Sequence, residues 1–232
     1  MMNERHRKLV YAVVEEYIQT ALPVCSKLLT TKYDLEVSPA TVRHEMVELD
    51  ALGYLHQPYT SAGRIPTEKA YKLYLELADM NQPLDEKTER QIENAYYQDE
   101  EGEPRRKIKN TAKALAEELR ETIIVGFGKY DTYYTGVSHL FSKPEFGDAD
   151  FVRDISEIID RIDDLLEEKL FDGAGEKMCA LIGSDNSFSD NCSLLVMKFG
   201  HDMEHFLGLL GPLRMNYRYN TTLLNFTQKF LS

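Results

Sequence analysis

The segment from Ser38 to Thr67 constrains the fold more than any other part of the chain. Ser38 and Pro39 are typical of a helix start, because serine caps free backbone N–H groups and proline fits the first helical position. The apolar residues of this helix recur at helical spacing: Val42, Met46, Leu49 and Leu52. Gly53 supplies a stop, and residues 54–66 then read as strand, turn and strand. A helix followed by a β-hairpin predicts a winged helix-turn-helix, a fold that places a helix in the major groove of duplex DNA.

Three further helices are predicted around this segment. The first runs from about Asn3 to Thr20, with apolar residues three and four positions apart on one face. Ser26 is predicted to cap a short second helix, Lys27 to Lys32, and Thr67 to cap a fourth helix beyond the hairpin. These elements together predict a winged-helix DNA-binding domain over residues 1–80.

Residues 81–118 are predicted to form an acidic linker and a connecting helix. The run Asp99-Glu100-Glu101-Gly102-Glu103 and the scarcity of aliphatic residues before it are typical of a linker. A basic patch from Arg105 to Lys109 opens the helix. We interpret this patch as a solvated helix face that neutralises the preceding acid run, in preference to a nucleic-acid contact.

From residue 119 the pattern changes to a mixture of strands and helices, so the fold class expected for the whole chain is α+β. Strands are predicted at Ile123–Phe127, Asp131–Ser138, Met178–Ile182, Cys192–Phe199 and Phe206–Leu210. Turns between the last three predict an antiparallel meander. A long amphipathic helix is predicted over Phe151–Phe171. A closing helix is predicted to start at Asn216 or Asn220 and to end near Leu231.

The charge distribution is compatible with DNA binding despite a net charge of −12. Residues 1–80 carry 9 Lys/Arg and 11 Asp/Glu, a balance of −2, whereas residues 81–232 carry 18 and 28, a balance of −10. The acid is therefore concentrated away from the predicted DNA-binding domain. A near-neutral domain of this kind needs a local cationic face and binds non-specific DNA weakly.

The remaining composition predicts a cytoplasmic protein without a cofactor. The cysteines are Cys25, Cys179 and Cys192; they form no CxxC pair and are expected to be reduced thiols. The apolar runs are far shorter than a membrane span, and no signal-peptide pattern opens the chain. We expect no catalytic residues and no metal site: His201 and His205 lack a third ligand at useful spacing.

The residues predicted to contact DNA are Ser38, Thr41, Arg43, His44, Gln57, Tyr59, Ser61, Gly63 and Arg64. Arg43 suits bidentate contact with guanine, the alternative being a surface ion pair with a nearby glutamate. His44 donates or accepts, less rigidly than asparagine would. Arg64 is expected in the minor groove or on a phosphate. Tyr59 either stacks on a sugar or packs under the hairpin, and Gln57 either bonds a phosphate or holds the hairpin.

The stretch Val37–Tyr71 resembles the winged-helix motif of the HrcA family, the bacterial heat-inducible transcription repressors. Residues Tyr17 to Ser26 fit the same family, which usually has glycine at the position of Cys25. A second group of matches follows: Thr135–Ser138, Pro144–Phe146, Leu181–Gly183 and Gly211–Tyr217. The chain departs from the family at His44, where asparagine is usual, and at Tyr59, where a histidine is usual.

The resemblance implies a repressor of heat-shock (chaperone) genes that binds an inverted-repeat operator as a homodimer and is maintained by the GroEL chaperonin. It also implies a GAF-like domain, here a reduced regulatory or dimerisation domain over residues 119–232 without the family's inserted dimerisation segment. The alternative from another class is a ligand-sensing winged-helix regulator with a different operator. A third possibility is a protein-interaction module.

The resemblance also singles out a C-terminal signature: Gly211, Pro212, Arg214, Met215 and Tyr217. Two roles are open for it. One is a regulatory or oligomeric contact. The other is a structural corner, in which Arg214 pairs with an acid and Tyr217 packs into the core.

Overall fold

The computed structural model describes residues 2–33, 35–98, 102–128, 131–146, 178–186, 189–200 and 205–231. The chain divides into two compact units. The first comprises residues 1–79 with Arg214–Asn216, and the second comprises residues 80–213 with 217–232.

The first unit contains four helices and a short antiparallel hairpin in its described residues. Its elements are α1 (Glu4–Thr20), α2 (Ser26–Lys32), α3 (Pro39–Ala51), β1 (Leu55–His56), β2 (Ile65–Pro66) and α4 (Glu68–Leu77). Leu55 pairs with Pro66 and His56 with Ile65. The core is formed by Leu9, Val10, Val13, Leu29, Val42, Leu49, Leu55, Tyr71 and Tyr74, all of them fully or almost fully buried.

Several local predictions for this unit were correct and others were wrong. Ser38 caps α3 through its side chain, with Pro39 at the first helical position. Ser26 does not cap α2, because the helix begins at Ser26 itself and the cap position falls on Cys25. Thr67 occupies the cap position of α4, but its hydroxyl donates to the carbonyl oxygens of Gly53 and Tyr54 instead.

In the residues that the structure describes, the second unit is built on a five-stranded antiparallel sheet. Its described helices are α5 (Glu86–Tyr97), α6 (Pro104–Leu119), α7 (Val137–Phe141) and α8 (Tyr217–Leu231). Its strands are β3 (Thr122–Gly126), β4 (Thr132–Thr135), β5 (Cys179–Ile182), β6 (Cys192–Phe199) and β7 (His205–Pro212). The strand order is β4-β3-β7-β6-β5. The predicted meander of the last three strands and the α+β class are confirmed.

Part of the predicted linker is not a linker, because residues 86–97 form helix α5 within the second unit. Thr88 and Ile92, one helical turn apart, are buried although the helix is otherwise polar. This single narrow stripe packs against α6, so tertiary burial stabilises a segment whose own composition is weakly apolar. The acid run at 99–101 lies outside the described residues.

Two residues of the basic patch on α6 contact groups that the sequence did not indicate. Arg105 forms a bidentate ion pair with Asp131, and its guanidinium lies 4.4 Å from the centre of the Phe127 ring. The Lys109 ammonium lies 4.9 Å from the Tyr133 ring. Arg105 and Lys109 therefore contact acid and aromatic groups of the second unit that only the fold brings next to α6.

A strand and a long helix were predicted between residues 128 and 177. The strand predicted over Asp131–Ser138 is shorter, since Gly136 adopts a left-handed conformation with φ of 80° and ends it. The amphipathic helix predicted over 151–171 lies outside the described residues. Across the described ranges, no helix is both long and apolar enough to cross a bilayer.

Candidate nucleic-acid interface

Helix α3 presents a continuous exposed face of the first unit. Its exposed residues at helical spacing are Ala40, Arg43, His44, Val47 and Ala51. Val42, Glu45, Met46 and Leu49 point inward. Leu52, which the sequence placed in the inner stripe, is 40% exposed, because the helix ends at Ala51 and the chain turns away before it.

Glu45 is the inward residue that the apolar pattern missed. Its side chain is only 6% exposed, and Arg5 of α1 reaches it with a 2.6 Å hydrogen bond from Nε. A buried carboxylate is tolerated only when it is paired in this way. The pair fastens the middle of α3 to the start of α1 and so fixes how the exposed face is presented.

The start of α3 is organised by two hydroxyls. The Ser38 Oγ accepts from the backbone N–H of Thr41 at 3.1 Å and shares a 2.9 Å hydrogen bond with the Thr41 hydroxyl. Both residues are exposed. Pro39 has no N–H and the Thr41 N–H is capped, so it is mainly the positive end of the helix dipole that faces solvent beside two hydroxyls, an arrangement that suits a phosphate.

The hairpin is held close to the loop before α2. Val24 and Arg64 exchange two backbone hydrogen bonds of 2.8 Å. A Cβ on Gly63 would lie 2.2 Å from the Val24 carbonyl oxygen, so only glycine permits this approach. Gly63 thus serves the approach of two backbone segments within the protein.

Two side chains that the sequence assigned to DNA also hold the hairpin. The Gln57 amide donates to the carbonyl oxygens of Thr60 and Ala62, each at 3.0 Å, which matches the second of its two predicted roles. The Arg64 side chain is only 12% exposed, and its Nε lies 2.8 Å from a carboxylate oxygen of Asp50. Arg64 is therefore not presented as an open cation.

The hairpin tip is the exposed part of this element. Tyr59 is 62% exposed, so it does not pack under the hairpin, and Ser61 is exposed beside it. An exposed aromatic ring and a small hydroxyl leave the tip able to approach a sugar-phosphate backbone closely.

A cleft of about 320 Å³ separates the exposed face of α3 from the hairpin. It is lined by Val24, Cys25, Ser26, Arg43, Met46, Val47, Gln57, Thr60, Ser61, Ala62, Gly63 and Arg64. In the described part of the chain, Arg43 forms no ion pair, in contrast to Arg64. The predicted alternative for Arg43, a surface pair with a glutamate, is thus not what the structure shows.

Sequence reasoning missed one residue that lines this cleft, Val47, and one that lies next to it, Lys27. Val47 is 48% exposed and lies one turn after Arg43, which a helical projection of α3 reveals. Lys27 is exposed in the first turn of α2, next to the cleft residue Ser26. Both extend the surface formed by α3 and the hairpin, Val47 as an apolar contact and Lys27 as a cation.

Glu48 lies between two imidazoles at the edge of this surface. One of its carboxylate oxygens is 3.3 Å from His44 Nε2, and the other is 3.3 Å from His6 Nε2 of α1. The His44 side chain is 77% exposed, whereas that of His6 is 6% exposed. The carboxylate therefore links an outward-facing imidazole to a buried one.

The residues of the C-terminal signature contact other parts of the protein in the described structure. Tyr217 is fully buried; its hydroxyl donates to the Leu213 carbonyl oxygen at 2.7 Å and shares a 2.7 Å bond with Ser193. Burial raises the pKa of the Tyr217 phenol well above its usual value. Met215 is buried, and Arg214 donates to the Ile18 carbonyl oxygen at 3.3 Å within the first unit. Gly211 and Pro212 end strand β7 opposite Ser193 and Cys192.

A family model described as "HrcA protein C terminal domain" matches residues 74–219, more than half of the chain. The chain belongs to the HrcA family. The match falls mainly on the second unit, so family membership rests on the sheet and the signature, independently of the surface formed by α3 and the hairpin.

Curated relatives are similar over parts of the chain. A heat-inducible transcription repressor HrcA from Carboxydothermus hydrogenoformans is 41% identical over 125 residues, which are 54% of this chain and 36% of that protein. One from Alkaliphilus metalliredigens is 57% identical over 75 residues, 32% of this chain and 22% of that protein. The matched parts thus span about a third or less of these relatives' length.

A solved structure shares the fold. A crystal structure of a hypothetical protein at 2.2 Å resolution aligns over 100% of this chain and 98% of its own, with a TM-score of 0.81 and 18% identity. At this identity the likeness concerns the fold alone.

Proposed function

We propose that the protein is a sequence-specific DNA-binding transcriptional repressor of heat-shock (chaperone) genes. The observation that carries the proposal is Arg43, a cation without an ion pair among the described residues, on the exposed face of α3 beside the hairpin cleft. Support for the regulatory class comes from the family and from relatives named heat-inducible transcription repressors. The proposal assigns the protein no catalytic activity, cofactor or metal.

In this proposal residues 1–80 are a winged helix-turn-helix and α3 is the recognition helix. A helix fits the major groove, and the side chains of its N-terminal half reach base edges. Arg43 donates two hydrogen bonds to guanine O6 and N7, a contact worth roughly 1–3 kcal/mol of discrimination. Val47, one turn later, offers an apolar contact for a thymine methyl group. Ser38, Thr41 and Lys27 contact phosphates.

The hairpin acts as the wing. Its tip contacts DNA, and its base holds the tip in position. Tyr59 and Ser61 at the tip contact the sugar-phosphate backbone. Gln57, Gly63 and Arg64 at the base keep the tip at the correct distance from α3. This revises the role of Arg64 from a groove contact to a positioning residue.

The second unit, preceded by residues 81–118, serves as a reduced GAF-like regulatory and dimerisation domain. Two copies place two recognition helices on an inverted-repeat operator, since one small near-neutral domain makes too few contacts for tight specific binding. The name of the relatives supports heat as the inducing condition, and the GroEL chaperonin is the proposed partner that maintains the active fold. The proposed location is the cytoplasm, because the protein binds chromosomal DNA there.

The proposal is tested by fluorescence anisotropy with the full chain at physiological salt. The labelled probe is an inverted-repeat duplex from upstream of a chaperone operon of the source genome, with a scrambled duplex as control. Binding to the repeat is expected to be at least about 10³-fold tighter than to the control. Arg43→Ala is expected to weaken it by about 10- to 100-fold.

Arg90→Ala is the matched control for Arg43→Ala, because Arg90 is an exposed helical arginine paired only with Glu86 among the described residues. It should leave the affinity unchanged. Equal, weak and salt-sensitive binding to both duplexes, or an Arg43→Ala variant that binds like the wild type, would contradict the proposal.

A further inference from the structure

The contact between His44 and Glu48 bears on whether His44 donates or accepts a hydrogen bond, which the residue type alone leaves open. Glu48, one helical turn later on α3, lies with Oε1 3.3 Å from His44 Nε2 and with Oε2 3.3 Å from His6 Nε2. Both carboxylate oxygens therefore face an imidazole nitrogen of the same type. Arg5 of α1 pairs with Glu45 instead.

An ionised carboxylate only accepts hydrogen bonds, so a nitrogen beside it is favoured in its protonated, N–H form. A neutral imidazole has one N–H and one lone pair on its two nitrogens. A carboxylate 3.3 Å from His44 Nε2 therefore favours the tautomer with the proton on Nε2 and the lone pair on Nδ1. His6 follows the same pattern: its buried Nδ1 has no hydrogen-bond partner among the described residues, as suits a lone pair better than an N–H.

Nδ1 is the ring nitrogen of His44 that does not face Glu48. The His44 side chain is 77% exposed on the same face of α3 as Arg43, and the structure records no contact of His44 other than that with Glu48 in the described chain. The nitrogen that can meet a base edge is consequently a hydrogen-bond acceptor.

The major groove distinguishes bases by donors and acceptors. The exocyclic amino groups, N6 of adenine and N4 of cytosine, are donors, whereas guanine N7 and O6 and thymine O4 are acceptors. An acceptor on the protein pairs with these amino groups and is repelled by the guanine and thymine acceptors. Resting on the proposed function, we infer that Glu48 fixes the tautomer of His44 so that His44 reads the exocyclic amino group of an adenine or a cytosine.

Selection from a random duplex library tests this inference with the full chain, at about pH 8, where imidazoles in model peptides are neutral. The wild type should enrich one position per half-site in adenine or cytosine on the strand that it reads. Changing that base to guanine should weaken binding by about tenfold. His44→Ala should erase the preference at this position and leave the guanine position of Arg43 unchanged.

Glu48→Gln tests whether the carboxylate sets the His44 tautomer or only touches the ring. A glutamine amide offers both a donor and an acceptor to Nε2, so it no longer favours one tautomer. This variant should admit guanine or thymine at the His44 position while its overall affinity changes little. A wild-type preference for guanine or thymine there, or a Glu48→Gln profile identical to that of the wild type, would overturn the inference.

A measurement without DNA keeps the inference independent of the variants' folding. The ¹⁵N chemical shifts of the His44 ring in the wild-type chain distinguish a protonated nitrogen from a lone-pair nitrogen. We expect a protonated Nε2 and a lone-pair Nδ1, and the reverse assignment would refute the tautomer. If no sequence is enriched although the tautomer is as expected, it is the proposed function that has failed.

Discussion

The Nε of Arg64 lies 2.8 Å from a carboxylate oxygen of Asp50, and this pair ties the base of the hairpin to the last turn of α3. The backbone of Arg64 is at the same time bonded to Val24 in both directions. The hairpin is therefore fixed from two sides, by an ion pair to α3 and by a backbone bridge to the loop before α2. Its position relative to Arg43 follows from these contacts.

We predict that Arg64→Ala affects stability first and DNA binding second. Loss of the pair leaves Asp50 without its cation in a partly buried position, so the free energy of unfolding should fall by about 1–2 kcal/mol in urea titration. Arg43→Ala removes a surface side chain that has no ion pair among the described residues, so it should leave the same titration unchanged. If Arg64→Ala is as stable as the wild type but binds DNA poorly, Arg64 contacts DNA directly.

Gly63→Ala should displace the hairpin. The new Cβ would lie 2.2 Å from the Val24 carbonyl oxygen, a distance that requires the backbone to move. We expect a loss of about 1–3 kcal/mol in the free energy of unfolding and a marked loss of DNA affinity. Ser61→Ala at the exposed tip serves as the control and should unfold like the wild type. An unchanged melting temperature for Gly63→Ala would show that this close approach is absent in solution.

Tyr217→Phe should destabilise the second unit. The buried hydroxyl bonds both the Leu213 carbonyl oxygen and the Ser193 hydroxyl, and its removal leaves these buried polar groups without that partner. A cost of about 1–3 kcal/mol in chemical denaturation is expected. If the signature were purely regulatory, Tyr217→Phe would instead leave stability normal and alter repression.

The Arg105–Asp131 pair should contribute to stability in a pH-dependent way. The hydrogen bonds from Arg105 hold the pKa of the Asp131 carboxyl below its usual range. The contribution is therefore present above the unfolded-state pKa of about 3.9 and is lost as the pH falls through the lower folded-state pKa. Asp131→Asn should lower the urea midpoint at pH 7 and have a smaller effect near pH 2. An equal effect at both pH values would exclude an ionic contribution.

The cysteines should react with a thiol reagent in a fixed order. Cys25 is exposed, Cys179 is half-buried and Cys192 is buried in β6. Burial also raises the pKa of the Cys179 thiol, which lowers its thiolate fraction at neutral pH. Labelling followed by peptide mass spectrometry should find Cys25 modified first and Cys192 only after denaturation. Equal rates for Cys25 and Cys192 in the native protein would contradict the burial of β6.

The sequence by itself determined the local elements that rest on neighbouring residues. Ser38 and Pro39 define the start of α3, and the turn residues define a hairpin, because caps and turns depend on contacts a few positions apart. The order of the last three strands followed from their short connections. The outward position of Arg43 followed from helical periodicity alone.

Tertiary structure decided which polar groups are used inside the protein. Glu45 and Arg64 are charged in sequence and partly or fully buried in the fold, because Arg5 and Asp50 reach them from other elements. Helix α5 forms where composition suggested a linker, because α6 covers its narrow stripe. Glu48 of α3 contacts the buried His6 of α1, which no pattern within α3 indicates. Pairing between segments far apart in the chain leaves no local signal, since the free energy of burying a charge depends on a partner that only the fold brings near.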